Sequence, residues 1–244
     1  MNELIFPDWP QPKNVLSCST TRIGGVSLPP FDSLNLGSHV GDVPEAVSEN
    51  RSRLVSLANL PQHPLWLEQI HGTKVLHLNG NTFENRQADA IYTNQAGQVC
   101  AIMTADCLPV LFCSKDGKEV AAAHAGWRGL CDGILENTIS QFTNPANEIM
   151  AWLGPAIGPE KFEVGAEVRQ AFINQSNDLK SGFIAKGDKF LADIYLLARI
   201  KLQAVGISSI YGGSFCTVSD ENRFFSYRRA GKTGRMASLI WVNK

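Results

Sequence analysis

Residues 88–124 read ADAIYTNQAGQVCAIMTADCLPVLFCSKDGKEVAAAH. Four short apolar runs, 88–93, 99–104, 108–113 and 119–124, are separated by the turn pairs Ala96-Gly97 and Asp116-Gly117 and by the polar break Ala105-Asp106-Cys107. Runs of strand length joined by tight Gly-containing turns predict hairpins, hence an antiparallel or mixed sheet. Residues 65–71 and 74–78, closed by Asn79-Gly80, extend the same pattern upstream.

Further out, 15–21 reads as a strand entering a Gly/Pro-rich loop, T-R-I-G-G-V-S-L-P-P. Residues 44–60 predict a helix, with Val47, Leu54, Val55 and Ala58 on one face, Pro44 in the first turn and Asp42 available as a cap. Downstream, helices are expected at 130–142, 166–174 and 192–205, and strands at 147–153, 208–211, 224–228 and 237–242. Helices and strands mix without a regular βαβ beat, so the expected fold class is α/β: layered, mixed, with a mostly antiparallel sheet core. No repeat or linker divides the chain, and residues 1–244 are expected to form a single domain.

Composition narrows the function. Of 244 residues, 44% are apolar and 18% charged, and the formal net charge is −1, which offers no basic field for a nucleic-acid backbone. The N-terminal M-N-E-L-I-F-P-D-W-P lacks the basic and apolar regions of a signal peptide. The longest apolar stretch, 99–113, is broken by Asp106 and Pro109, short of the roughly 18 apolar residues of a membrane span. Neither nucleic acid nor membrane is an expected partner, and a cytoplasmic protein is expected. The six cysteines contain no C-x-x-C pair, which excludes a zinc ribbon or a thioredoxin-type redox pair.

Three residues interrupt this apolar centre: His71 in W-L-E-Q-I-H-G, Cys107 in M-T-A-D-C-L-P-V-L-F, and His124 in V-A-A-A-H-A-G-W-R-G. Two imidazoles and a thiolate suit zinc, and three protein ligands leave a fourth position for water or substrate. Each residue also has a plain alternative: a strand-end histidine bonded to backbone, or a buried thiol. Alternation along a strand at 65–71 places Gln69 on the face of His71, available to orient it or a ligand. After His124, Gly126 and Gly129 permit close backbone approach at a helix start, and Arg128 could add charge for a phosphate or carboxylate. Arg22 in T-R-I-G-G-V-S and Arg228 and Arg229 in F-F-S-Y-R-R are further anion-binding candidates. Asn35 in S-L-N-L-G is a polar insertion between leucines that could contact substrate.

Together S-T-T-R-I-G-G-V-S, S-L-N-L-G, W-L-E-Q-I-H-G, A-D-A-I-Y-T, M-T-A-D-C-L-P-V-L, H-A-G-W-R-G-L, L-G-P-A-I-G-P, F-E-V-G and F-S-Y-R-R resemble the YfiH family, called peptidoglycan editing factor in bacteria and often labelled multicopper polyphenol oxidase or laccase-domain protein. The resemblance implies that family's own α/β fold, of the Cys–His hydrolase type, and zinc bound by His71, Cys107 and His124. Ala230 departs from the acidic residue expected after the paired arginines. For activity the resemblance implies purine nucleoside phosphorolysis with adenosine deamination and methylthioadenosine cleavage, or amide hydrolysis that removes L-serine from a UDP-linked muropeptide precursor, or copper-dependent phenol oxidation.

The last conflicts with the residues present. Blue and trinuclear copper sites together take about ten histidines plus a cysteine, and this chain has five histidines. Copper at the zinc position would be adventitious. One open zinc suits the other two activities. Phosphate would be held by Arg22, Arg228 and the Gly126–Gly129 turn, and base or sugar by Gln69 or Asn35. A metal-free variant would use Cys107 as nucleophile and His124 as base. A structural zinc without turnover would need a fourth protein ligand, for which Asp106 is nearest. The expected partner is a small molecule, a nucleoside plus phosphate or a UDP-muropeptide.

Overall fold

The computed structural model describes residues 3–80 and 84–243. In chain order the elements are β1 (Leu4–Ile5), β2 (Val15–Thr20), α1 (Pro44–Leu57), β3 (Val75–His77), β4 (Ala90–Thr93), β5 (Val99–Thr104), β6 (Leu108–Ser114), β7 (Val120–Ala125), α2 (Trp127–Asp132), α3 (Ile134–Ile139), β8 (Ile149–Leu153), β9 (Glu163–Val164), α4 (Ala166–Gln175), β10 (Phe183–Lys186), β11 (Lys189–Ala192), α5 (Ile194–Ala204), β12 (Ser209–Gly212), α6 (Tyr227–Ala230) and β13 (Met236–Val242). They build a six-stranded sheet ordered β12-β8-β6-β7-β4-β3, a four-stranded sheet β1-β2-β13-β5 and a three-stranded sheet β10-β11-β9. Among the described residues only β3–β4 and β8–β12 pair in parallel, so the expected mixed, mostly antiparallel α/β core is what forms. No helix among the described residues is long and apolar enough to cross a membrane.

Strand alternation assigns the layers. From β6, Leu108, Val110 and Phe112 point to the helices, while Leu111 and Cys113 point to the four-stranded sheet. In β7, Ala121 and Ala123 take the helix side, and Val120 and Ala122 the sheet side. Parity then puts His124 on the sheet side, at the end of the sandwich. On the helix side, α5 buries Ile194, Leu197, Ala198 and Leu202 at helical spacing; each such large aliphatic side chain contributes about 1.5–3 kcal/mol. On the outer face of the four-stranded sheet, Leu54 of α1 packs with Leu34, Leu36, Val99 and Leu239.

Several local expectations are corrected. Residues 65–71 form no strand; a single bridge, Glu68 with Gln87, is all the pairing they make, and His71 sits at φ 60°. The helix expected at 130–142 is two short helices, broken where Gly133 adopts φ 104°. The strand expected at 224–228 is instead the turn of helix α6, capped by Ser226 Oγ, which accepts from Arg229 N–H. Asp42 does not cap α1: its Oδ2 accepts from Ser27 Oγ and Asn35 Nδ2, and Val43 is the N-cap.

Asp106 ties the C-terminal segment to the central sheet. Its Oδ1 accepts from Thr217 Oγ1 at 2.6 Å, and its Oδ2 from Ser226 Oγ at 3.1 Å and from Arg228 N–H at 2.6 Å. Asp106→Ala leaves the buried hydroxyls of Thr217 and Ser226 and the Arg228 N–H without this partner, and urea denaturation should show a loss of about 3 kcal/mol.

Candidate metal centre and its cavity

The β4–β7 register pairs Ala90 with Ala123 and Ile91 with Ala122, which brings Asp89 opposite His124 one step beyond. The backbone confirms it, His124 N–H donating to Asp89 O at 2.7 Å. On the same sheet face the two side chains meet, His124 Nδ1 lying 2.8 Å from Asp89 Oδ1. Asp89 is fully buried and also accepts three successive backbone N–H groups, from Ile70 (3.2 Å), His71 (2.9 Å) and Gly72 (2.7 Å). The loop thus wraps one carboxylate. The left-handed backbone of His71, costly for a non-glycine residue, is held by those bonds. The positive φ of Asp106, 89°, reverses the chain just before β6, so that Asp106 points into the C-terminal segment while Cys107 faces the histidines.

His71, Cys107 and His124 therefore converge. Their ligand atoms all lie within 4.8 Å of one another, and Cys107 Sγ is 3.8 Å from His71 Nε2. Tetrahedral zinc with Zn–N and Zn–S bonds of about 2.0–2.3 Å separates its ligands by roughly 3.3–3.7 Å, so small side-chain adjustments would close this set on an ion. Asp89 on Nδ1 leaves Nε2 of His124 as the ligand nitrogen, the carboxylate–histidine arrangement that orients metal ligands. Gly126 completes the cradle: a Cβ there would lie 2.8 Å from His71 Cδ2 and 3.1 Å from Cys107 Sγ. A Cβ on Gly129 would lie 2.8 Å from Gly72 O. Close approach at both glycines was expected, but it serves the ligand loop. His71 is exposed, Cys107 half-buried and His124 buried, so the cluster opens on one side only.

It opens into a cavity of about 360 Å³, lined beyond the trio by Gln69, Met103 and Thr104 and by His39, Tyr227 and Arg235. Of the residues singled out in the sequence, the structure brings His71, Cys107, His124 and Gln69 together here. Both ends of the Gln69 amide bond the backbone of Met103, at 2.8 and 2.7 Å, so Gln69 braces the wall. The other candidates lie elsewhere. Arg22 pairs with Asp32 at 3.1 Å and lines a separate surface hollow. Arg228 donates to Glu163 O, and Arg229 to the carbonyls of Thr217, Val218 and Phe224. Arg128 is exposed and stacked on Trp127. Asn35 is fully buried, bonded to the Gly37 backbone and to Asp42 Oδ2, and Asp106 is committed to the bonds described above. Residue-by-residue reading missed Asp89, His39, Tyr227 and Arg235. An acid opening the apolar strand A-D-A-I-Y-T was the one available signal for Asp89.

A family model described as multi-copper polyphenol oxidoreductase laccase matches residues 16–243. The chain belongs to this family. Purine nucleoside phosphorylase YfiH of Escherichia coli (strain K12) is 60% identical over 242 residues, 99% of this chain and 100% of that protein. Purine nucleoside phosphorylase PA4543 of Pseudomonas aeruginosa is 53% identical over 244 residues, 99% of each chain. Among solved structures, Neisseria meningitidis protein NMB0706 superposes with TM-score 0.94 at 49% identity over 100% of both chains. YlmD from Geobacillus stearothermophilus gives 0.86 at 31% identity, covering 100% of this chain and 97% of that one. The YfiH resemblance expected from the motifs is borne out.

Electrostatics set the protonation of the metal-free cluster. Burial disfavours the Cys107 thiolate, but the charge and hydrogen bond of His124, then those of His71, outweigh it and bring the thiol down to about 6. Burial likewise opposes charge on His124, yet the Cys107 thiolate and the Asp89 bond lift it to about 9. Burial would raise Asp89, and the bonds from His124, Gly72 and Ile70 hold it below the usual carboxylate range. The same contacts thus favour a thiolate on Cys107 and a charged ring on His124, and a divalent ion held by the three residues would displace a proton from His124.

Two outcomes follow. In chelator-treated protein, alkylation of Cys107 by iodoacetamide should rise with pH through a midpoint of about 6, because the thiol dominates below that pH and the thiolate above it; added zinc should suppress the reaction. Asp89→Asn places an amide where four N–H groups need an acceptor, and competition with a chelating dye should show zinc affinity lowered about 10–100-fold.

Proposed function

We propose that this chain is a zinc-dependent purine nucleoside phosphorylase whose reaction centre is the cavity over His71, Cys107 and His124, with adenosine deamination and methylthioadenosine phosphorolysis in the same cavity. The observation that carries the reading is the convergence of one sulfur and two imidazole donors within 4.8 Å at a cavity, in a chain 60% identical along its length to a protein named as such a phosphorylase. Zinc held by these three residues supplies Lewis-acid polarisation and charge stabilisation on the cavity side.

The chain's own groups supply the rest. Asp89 fixes the tautomer and direction of the His124 ring. Gln69, locked to Met103, keeps the wall rigid, and a cavity of about 360 Å³ suits a nucleoside-sized ligand. In phosphorolysis a phosphate oxygen bonds to C1′ of the ribose as the C1′–N9 bond breaks. Its electron pair goes to the purine, which takes up the proton that hydrogen phosphate gives up.

Phenol oxidation by a multicopper site finds no support in the side chains. Among the described residues the trio is the one cluster of three or more candidate ligands, and the chain has five histidines in all. Hydrolysis of a UDP-linked muropeptide has one observation in its favour. A second cleft, of about 520 Å³, shares His39, Gln69 and Met103 with the first and would let a longer substrate extend past the metal centre.

Incubation of zinc-loaded protein with adenosine should yield adenine and ribose 1-phosphate by mass spectrometry only when phosphate is present, and Cys107→Ala should reduce the rate to roughly a thousandth or less. Release of L-serine from the muropeptide precursor, with no ribose 1-phosphate from adenosine, would move the assignment to the hydrolase reading.

A further inference from the structure

The cavity contains a cation, Arg235, that feels the charges of Cys107 and Asp106 but makes no ion pair with a carboxylate among the described residues. Arg235 is half-buried, and its Nη1 donates to Thr233 O at 3.2 Å and Gly234 O at 3.1 Å, both in its own segment. Among the described residues no carboxylate pairs with it, and its Nε and Nη2 have no hydrogen-bond partner. The other arginine candidates are engaged by Asp32, by backbone carbonyls or by Trp127, and none lines this cavity. A partly desolvated guanidinium with three free N–H donors beside a reaction centre is a ready site for a multiply charged oxyanion.

The surrounding residues place it there. Arg235 N–H donates to Asn35 Oδ1 at 2.9 Å, and Leu36 N–H donates to Arg235 O at 3.2 Å. The Asn35 amide also donates to Gly37 O and Asp42 Oδ2, fixing its own orientation. A Cβ on Gly37 would lie 2.8 Å from Arg235 Cγ, so the missing side chain makes room for the arginine stem. The S-L-N-L-G motif is therefore built around Arg235. The Tyr227 ring lies 6.0 Å from its Cζ, and His39, two residues past Gly37, lines the same wall. Burial, then the charges of Arg235 and Arg51, keep the His39 ring neutral, leaving one N–H to donate.

We infer that Arg235, seated by Asn35 and Gly37 and accompanied by His39, binds the inorganic phosphate co-substrate in this cavity. The inference rests on the phosphorolytic reading above. Asn35 is then a positioning residue that acts through Arg235.

Steady-state phosphorolysis of adenosine, with phosphate and nucleoside varied separately on zinc-loaded protein, tests it. Arg235→Gln should raise KM for phosphate roughly 10-fold or more, while the nucleoside KM moves less than about threefold; Arg235→Lys should restore part of the loss. Gly37→Ala, which keeps the guanidinium but displaces its stem, should raise the phosphate KM by a smaller factor. A phosphate KM within about twofold of the unmodified protein in both Arg235→Gln and Gly37→Ala overturns the assignment, as does an equal rise in both KM values. Calorimetric titration of inorganic phosphate into zinc-loaded protein without nucleoside separates the two levels. Phosphate binding that Arg235→Gln abolishes, in a protein that forms no ribose 1-phosphate, supports the anion seat while removing the phosphorylase reading. Phosphorolysis indifferent to Arg235 removes the seat alone.

Discussion

The buried carboxylate of Asp89 holds the candidate metal site together. It binds the imidazole of His124, on a strand of the central sheet, and three consecutive backbone N–H groups of the loop that carries His71. These two ligands come from segments more than fifty residues apart, and each alone would have considerable freedom. A fully buried carboxylate without partners is unstable, so once β4 and β7 pair and bury Asp89, the loop must close around it. The stability of the sheet edge and the position of the His71 loop thus depend on the same carboxylate. Cys107 needs no such strap, because the reversal at Asp106 and the start of β6 already aim it at the same point.

What could be read from the sequence, and what could not, follows from the range of the interactions. Strand positions were legible because tight turns and apolar runs are local signals, and β4 through β8 form near the expected positions. Their partners were not, since Asp116-Gly117 closes a β6–β7 hairpin whereas β4 pairs with β3 and β7, and β5 pairs with β13 in the other sheet. The convergence of His71, Cys107 and His124 was legible because polar side chains interrupting apolar runs need a reason to be there. Asp89 was not legible as a partner of His124, since strand register is decided by pairing across 35 residues. Residues 65–71 carry strand-like composition but lie along the edge of the site, where bonds to Asp89 replace a ladder. At 224–228 the aromatic run suggested a strand, while the Ser226 cap and the bond from Arg228 N–H to Asp106 favoured a helical turn.

The arginines show the same limit more sharply. Arg22, Arg228 and Arg229 stand in glycine-rich or aromatic motifs that look built for anions, yet their guanidinium groups bond backbone carbonyls and Asp32. Arg235 stands in the unremarkable T-G-R-M-A-S and carries no local signal at all. Its role emerges only when Asn35, two hundred residues away in sequence, is found bonded to its backbone. A sequence motif here marks a place where the fold needs specific geometry, and that geometry can serve a side chain from a distant segment.

The donor set also explains how a laccase description and a phosphorylase name can attach to relatives of one chain. Thiolate and imidazole are ligands that copper as well as zinc accepts, and affinity for divalent copper generally exceeds that for zinc at sites of this kind. Steric and electrostatic features of the cavity point elsewhere. A laccase needs a path for electrons between copper sites, whereas a guanidinium with no carboxylate partner among the described residues, beside one candidate metal-ligand cluster in a cavity of nucleoside size, suits transfer chemistry on a charged oxyanion. The arrangement of cation, cluster and volume therefore discriminates between the two descriptions, where the identity of the ligands alone does not.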